Sequence, residues 1–249
     1  MVTLEIDGQK VEVGEETTVL KGAQKLGIYV PTLCYEDAMK PYAACRLCVV
    51  ETIIDGRSRF QSSCSLSVAE GMIVKTNSEP VVKGRKTLLE LYLSRCPEVK
   101  RVRELCDQYG VTETRFKTFE RSEDCVLCGL CVRACEELVG ARAIDFVGRG
   151  TERKVDVPFE RMWDECVACG ACTYVCPTGH IQNETHRVAQ LKRQCGIQRK
   201  CRYMLMGAVS NKLCPNSYEC WRCEYEQRTE YRLDGHAVLA LKPAQRHGG

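Results

Sequence analysis

The chain has 249 residues, with 36 Lys and Arg against 33 Asp and Glu, a formal charge of +3, and 19 cysteines. So small a net charge, spread over both signs, argues against electrostatic capture of nucleic acid or an anionic membrane, and no apolar run approaches the length needed to span a bilayer. The cysteine content is several-fold that of an ordinary globular chain, and it is the feature that needs a chemical explanation.

The opening MVTLEIDGQKVEVG alternates apolar and charged residues and lacks the basic end, apolar run and small-residue cleavage site of a secretory leader. A cytoplasmic location is therefore expected, where thiols stay reduced and dense cysteine means metal rather than disulfides. Residues 3 to 6 and 10 to 13 alternate around Asp7-Gly8, which predicts a hairpin. Thr17 or Thr18 then caps a helix running to Lys25 and ending at Gly27. Further strands are expected at 47 to 55 and 72 to 75, giving a small mixed sheet crossed by a helix. A helical stretch follows over 80 to 120, carrying Leu88, Leu89, Leu91, Tyr92 and Leu93, with a break at Pro97.

From 124 the chain repeats itself. DCVLCGLCVRAC (124 to 135) and ECVACGACTYVCP (165 to 177) both spell C-x2-C-x2-C-x3-C, with all four cysteines offset by 41 positions. Such self-similarity is a duplicated module. Three thiolates at this pitch wrap one iron-sulfur cube, and the fourth of each run ligates the partner cube, as in bacterial two-cluster ferredoxins. Cys125, Cys128, Cys131 and Cys176 are thus assigned to one 4Fe-4S cluster, and Cys166, Cys169, Cys172 and Cys135 to the other. Gly129 and Gly170 let the chain close on the sulfurs. Pro177 completes the second run, whereas Glu136 stands at that place in the first. Structural zinc is the alternative, but two interleaved runs exceed the four ligands that it takes.

The N-terminal set is Cys34, Cys45, Cys48 and Cys64, spaced C-x10-C-x2-C-x15-C. The plant-type 2Fe-2S pattern has four residues between its first two cysteines, so this is a variant with a longer ligand loop, which Ala43 and Ala44 help to close. Zinc is again the alternative, and the lack of a second C-x2-C pair counts against it.

The run VPTLC…ACRLCVVE, then a Leu-rich helix, then the duplicated module, resembles the small iron-sulfur, diaphorase-type subunit of NAD-linked multisubunit hydrogenases. It is similar also to the N-terminal regions of iron-only hydrogenases and of the large peripheral iron-sulfur subunit of complex I. The resemblance covers residues 1 to 185 or so. It implies an α+β architecture: a β-grasp 2Fe-2S domain over 1–79, a helical linker over 80–120, a two-cluster 4Fe-4S ferredoxin domain over 121–186, and a small Cys-rich C-terminal module with its tail over 187–249. Those relatives commonly hold a further cube in the linker through H-x3-C-x2-C-x5-C. Here LYLSRCPEVKRVRELC offers only Cys96 and Cys106, so that cluster is expected to be missing and the two thiols to be packed or semi-exposed, with their joining cysteines brought from elsewhere as the alternative.

Beyond the resemblance lie Cys195, Cys201, Cys214, Cys220 and Cys223. The last four form C-x12-C-x5-C-x2-C, a complete thiolate set for a 4Fe-4S cluster, placed somewhat ahead, or for zinc; a reduced cysteine cluster without metal is the third reading. Trp221, between two of these cysteines, either shields a metal or joins the core. His180 stands near Cys176 and either tunes a cluster or sits at the surface, while His186, His236 and His247 have no ligand spacing. Lys192, Arg193, Arg199, Lys200 and Arg202 either dock an acidic partner or form a solvated face.

There is no dinucleotide-binding glycine fingerprint, Walker loop or nucleophile elbow, so no catalytic residue is assigned. The expected function is an electron-transfer subunit with one 2Fe-2S and two 4Fe-4S clusters, relaying electrons between a flavin- and NAD(P)-binding subunit and a catalytic hydrogenase or other redox subunit. An NAD-linked formate dehydrogenase or transhydrogenase would use the same relay. A free-standing ferredoxin-like carrier and a zinc-stapled interaction module are the rivals.

Overall fold

A computed structural model describes residues 1–118, 124–156, 166, 169–181, 193, 199–236 and 239. Cys195, His186, His247 and Lys192, which the sequence singles out, lie outside the described residues. The chain divides into two compact units, Met1–Tyr35 with Lys40–Cys128, and Glu36–Met39 with Gly129–Gly249.

In the first unit, β1 (Val2–Ile6) and β2 (Gln9–Val13) form the expected hairpin, pairing antiparallel from Val2 opposite Val13 to Ile6 opposite Gln9. Asp7 and Gly8 make its turn with φ of 47° and 82°, the left-handed values that a two-residue hairpin needs. The Thr18 side chain accepts from the Lys21 amide at 3.4 Å, capping α1 (Val19–Lys25) as expected.

Three further strands follow: β3 (Val49–Ile54), β4 (Arg57–Ser62) and β5 (Ile73–Lys75). The sheet order is β2-β1-β5-β3-β4, with β1 and β5 parallel and the other pairs antiparallel. Leu4, Ile6, Val11, Val13, Val50 and Val74 meet Val19, Leu20 and Ala23 of α1 in one core. Each such aliphatic side chain contributes about 1.5–3 kcal/mol when fully buried.

β4 is absent from the sequence reading because its outer residues alternate nothing apolar; it is an edge strand exposed over Arg57–Phe60. Asp55 and Gly56, with φ of 49° and 72°, repeat the Asp-Gly turn of the first hairpin and are the signal that could have found it.

The helical stretch is two helices, α2 (Glu79–Arg95) and α3 (Lys100–Tyr109). The chain breaks around Pro97 as expected, and Gly110 ends α3 in the left-handed conformation at φ 64°.

In the second unit, α4 (Leu130–Arg133) runs into a widened helical turn, Ala134–Val139. The strands β6 (Asp145–Val147) and β7 (Lys154–Asp156) pair antiparallel. Gly148 is required at their connection: with φ at 76°, a Cβ there would stand 2.7 Å from the Glu152 carbonyl oxygen. A short helix, α5 (Ala171–Tyr174), carries Cys172 of the second cysteine run.

Candidate metal centres

The N-terminal thiols are collected by the loop between α1 and β3 and by the chain leaving β4. Cys34, Cys45, Cys48 and Cys64 are all nearly inaccessible, the most exposed at 2%. They fall into two pairs. The Cys45 amide donates to the Cys34 sulfur at 3.3 Å, and the Leu33 amide donates to the Cys45 sulfur at 3.4 Å. The Cys48 and Cys64 sulfurs lie 3.3 Å apart.

In each pair one thiol is driven toward ionisation by the hydrogen bond from the other, Cys45 by Cys34 and Cys48 by Cys64. Cys34 and Cys64 hold their protons correspondingly harder. Two irons bridged by two sulfides take two thiolates each, so a paired arrangement fits a binuclear cluster, whereas one zinc gathers four thiolates about one point. A cluster held here would take all four as thiolates, the protons leaving to solvent.

Ala43 and Arg46 flank Cys45 with φ of 57° and 60°, an uncommon conformation for residues with side chains, held by the surrounding packing. Ser63 adds a hydroxyl bond to the Cys48 carbonyl at 2.8 Å.

Two residues that the sequence reading did not mark as part of this site support it from α2. Arg85 is fully buried; its Nε donates to the Leu47 carbonyl at 2.9 Å and its Nη2 to the Val49 carbonyl at 2.7 Å. Its Nη1 reaches Asn77 Oδ1 at 3.0 Å and the Tyr109 hydroxyl at 3.2 Å. Two turns along, the Tyr92 hydroxyl donates to the Cys45 carbonyl at 3.2 Å. Burial, then the neighbouring Cys45, Cys34, Cys128 and Cys96, push its ionisation far up, so Tyr92 sits within electrostatic reach of both the N-terminal thiols and Cys128. A lone aromatic or basic residue in a Leu-rich helix carries no sequence mark of such a role.

The two cysteine runs share backbone geometry. Gly129 and Gly170 precede α4 and α5 with the same φ of 77°, as the duplication requires. Cys125 and Cys128 belong to the first unit and Cys131, Cys135, Cys166, Cys169, Cys172 and Cys176 to the second. The Cys125 sulfur accepts from the Leu127 amide at 3.4 Å, and Cys135, in the widened turn, accepts from the Ala143 amide at 3.1 Å.

Burial raises the Cys169 thiol to about 12, with Cys172, Cys135 and Cys166 adding to the shift. Cys172 is raised to about 11 by burial and then by Cys135 and Cys166. Cys135 is likewise raised, first by burial, with Cys166 contributing. Cys135 therefore shares an electrostatic environment with three cysteines of the other run. Thiols raised by burial and by one another ionise together only with cations among them, a charge that cluster iron would supply.

Cys176 is held below the ordinary thiol range by the Thr178 hydroxyl and the amides of Ile181, Thr178 and His180, against the cost of burial. His180 thus serves through its backbone amide, while its side chain is exposed.

His236, given no ligand spacing by the sequence, is 3% exposed with Nε2 3.2 Å from the Cys169 carbonyl oxygen. Burial, then Arg202, lower it to about 4, against the contact with Cys169, so the ring is neutral. It packs between Tyr174 and Tyr203, at ring-centre distances of 5.4 and 6.3 Å.

Cys96 and Cys106 are buried, at 0% and 1% exposure. The Cys96 sulfur lies 3.5 Å from the Cys125 carbonyl oxygen and that of Cys106 lies 4.0 Å from the Leu89 carbonyl oxygen. Of the C-terminal basic residues, Arg202 is buried against Glu226 and Arg199 reaches Ser217 Oγ at 2.7 Å, so these two do not join a solvated face. Lys200 and Arg193 are exposed. Trp221 is 74% exposed and shields nothing. Among the described residues no three metal-ligand side chains stand close enough to hold one ion as they are, and no helix is long and apolar enough to cross a membrane.

A buried paired-thiol site beside a grasped helix, followed by two equivalent cysteine runs, defines an iron-sulfur protein of the electron-transfer type. The 2Fe-2S iron-sulfur cluster binding domain family matches residues 1–79 and the 4Fe-4S dicluster domain family matches residues 124–180. The chain is 35% identical over 212 residues to a subunit of the NADH-quinone oxidoreductase of Rhizobium meliloti (strain 1021), covering 75% of this chain and 24% of that protein. It is 33% identical over 211 residues to the NADP-reducing hydrogenase subunit HndD of Solidesulfovibrio fructosivorans, covering 73% of this chain and 36% of that one. This chain thus spans about a quarter to a third of these curated relatives.

The solved structure of an NAD+-reducing [NiFe]-hydrogenase in the H2-reduced state matches with a TM-score of 0.56 and 30% identity, over 63% of this chain and 75% of that chain. The protein belongs to the family of iron-sulfur subunits shared by NAD(P)-linked hydrogenases and NADH-quinone oxidoreductases.

Proposed function

We propose that this chain is the electron-relay subunit of a cytoplasmic NAD(P)-linked hydrogenase complex. It takes single electrons from, or passes them to, a subunit that binds flavin and NAD(P), and exchanges them with a catalytic hydrogenase subunit. One 2Fe-2S cluster rests on Cys34, Cys45, Cys48 and Cys64. Two 4Fe-4S clusters rest on Cys125, Cys128, Cys131 and Cys176, and on Cys166, Cys169, Cys172 and Cys135.

The clusters supply the one-electron chemistry; the protein supplies burial, amide donors to sulfur and fixed neighbours that set potentials. The observation that carries the reading is the pairing of the N-terminal thiols, Cys34 with Cys45 and Cys48 with Cys64, which suits a binuclear cluster and not a zinc ion. The hydrogenases among its relatives favour that assembly over a formate dehydrogenase or transhydrogenase, and the density of reduced thiols favours the cytoplasm.

The test is anaerobic purification from the native source with its partners attached. Expected are a brown complex, paramagnetic signals of a 2Fe-2S and two 4Fe-4S centres on reduction by NAD(P)H, and a flavin-bearing chain and a hydrogenase chain in the preparation. The isolated chain should reduce no artificial acceptor from NADH. A colourless protein would overturn the relay reading, and diaphorase activity of the pure single chain would overturn the subunit reading.

A further inference from the structure

Of the five cysteines that follow the matched domains, four lie among the described residues, in a part of the second unit with its own construction. An isolated antiparallel bridge between Lys200 and Leu213 brings two separated segments side by side: the Cys201 amide donates to the Lys212 carbonyl at 2.8 Å and the Cys214 amide to the Arg199 carbonyl at 2.7 Å. The Cys214 sulfur accepts from the Tyr218 amide at 3.2 Å. Cys220 opens a single 3-10 turn, Cys220–Arg222, and the Cys223 amide closes it on the Cys220 carbonyl at 2.8 Å. That turn projects two sulfurs from one C-x2-C step.

All four cysteines line a single cavity of about 20 Å³. One water needs about 10–15 Å³ on that scale, so the space suits one atom. A cube of four irons and four sulfides needs several times that space, so the wall would have to open for it. Lys212 lines the same cavity and brings a cation to the thiolates, while Arg202 there is paired with Glu226, which lines it too. Little else holds this part together. Around the cysteines, among the described residues, the buried side chains are Arg202, Tyr203, Met206, Tyr218, Glu226 and His236, and a core so small cannot order the chain by packing alone.

We infer that Cys201, Cys214, Cys220 and Cys223 form a mononuclear zinc site, a structural tetrathiolate distinct from the electron-carrying clusters. The four thiols lose their protons to solvent as the ion enters, and no redox step is involved. No three of them yet stand at bonding distance from one point, so uptake draws the cavity wall inward by side-chain rotation. Zinc here fixes Tyr203, whose ring stacks on His236, and so holds His236 against the Cys169 carbonyl.

The test uses the full chain purified anaerobically from cells grown with both iron and zinc. Metal analysis should give about one zinc per chain, and zinc-edge X-ray absorption should show four sulfurs at about 2.3 Å. The double variant Cys220→Ser, Cys223→Ser should lose the zinc while its iron content and paramagnetic signals persist. Zinc at background in the wild-type chain, with about four more irons than the other twelve ligands account for, would show a third cube and overturn the inference. Zinc bound through fewer than four sulfurs would overturn it too. Because these outcomes are read on the wild-type protein, failure of the variant to fold leaves the test intact, and a colourless, iron-free chain would refute the relay reading separately.

Discussion

The Arg85 guanidinium donates to the Leu47 carbonyl at 2.9 Å, and with its second bond to the Val49 carbonyl it holds the residues on both sides of Cys48. Among the described residues no carboxylate pairs with it. A fully buried cation so placed does two things: it fixes the ligand loop to α2, and it sets a positive charge beside the thiols at which an anionic 2Fe-2S cluster would rest.

Replacing Arg85 by Met should therefore destabilise the first unit by about 2–4 kcal/mol, because two buried carbonyls lose their donors. It should also lower the reduction potential of the 2Fe-2S cluster, since the reduced form carries the greater negative charge. Thermal melts and a redox titration followed by electron paramagnetic resonance check both. A potential unmoved in a folded variant would limit Arg85 to a packing role.

Tyr92→Phe removes the hydroxyl bond to the Cys45 carbonyl while keeping the ring. The expected loss of stability is about 1 kcal/mol, with a downward shift of the 2Fe-2S potential, because the ligand loop at Cys45 loses a donor. The paramagnetic signals of both 4Fe-4S clusters should persist in the same titration.

The exchange of fourth ligands between the runs predicts that Cys135→Ala damages the cluster held by Cys166, Cys169 and Cys172. Cys176→Ala should damage the one held by Cys125, Cys128 and Cys131. The mutual influence of Cys135, Cys166, Cys169 and Cys172 supports the first half. Iron counting and paramagnetic resonance on each variant decide it; loss of the same-run cluster in either would refute the crossover.

Burial raises the Cys106 thiol above its ordinary value, with Asp107 adding to and Arg103 opposing the shift. The folded state therefore keeps a proton that the unfolded chain gives up near pH 8.5 or so. The stability this contributes is complete below that pH and fades as pH rises past it. Wild type should lose stability between pH 8 and about 10 more steeply than Cys106→Ala in denaturant titrations. Iodoacetamide at pH 7 should leave Cys106 unlabelled in the native protein, since thiolate and access are both lacking.

Ligand spacing, the duplication and the first hairpin were legible in the sequence, because each is a local pattern: a cysteine pitch, a repeat offset, an Asp-Gly turn between alternating runs. The capped α1 and the break near Pro97 were legible for the same reason. The exposed edge strand β4 was not, since its residues show no apolar face, and neither were β6 and β7, whose three-residue ladders are too short to make a pattern.

What only the tertiary structure decided is which groups meet across the fold. Cys34 pairs with Cys45 and Cys48 with Cys64; Arg85, basic in a helix, is drawn inside by carbonyls 38 and 36 residues away; His236 is placed against the Cys169 carbonyl, 67 residues back. Spacing along the chain determines which thiolates can share a turn. The neighbours that set their charge and potential come from elements distant in sequence, and only packing brings those together.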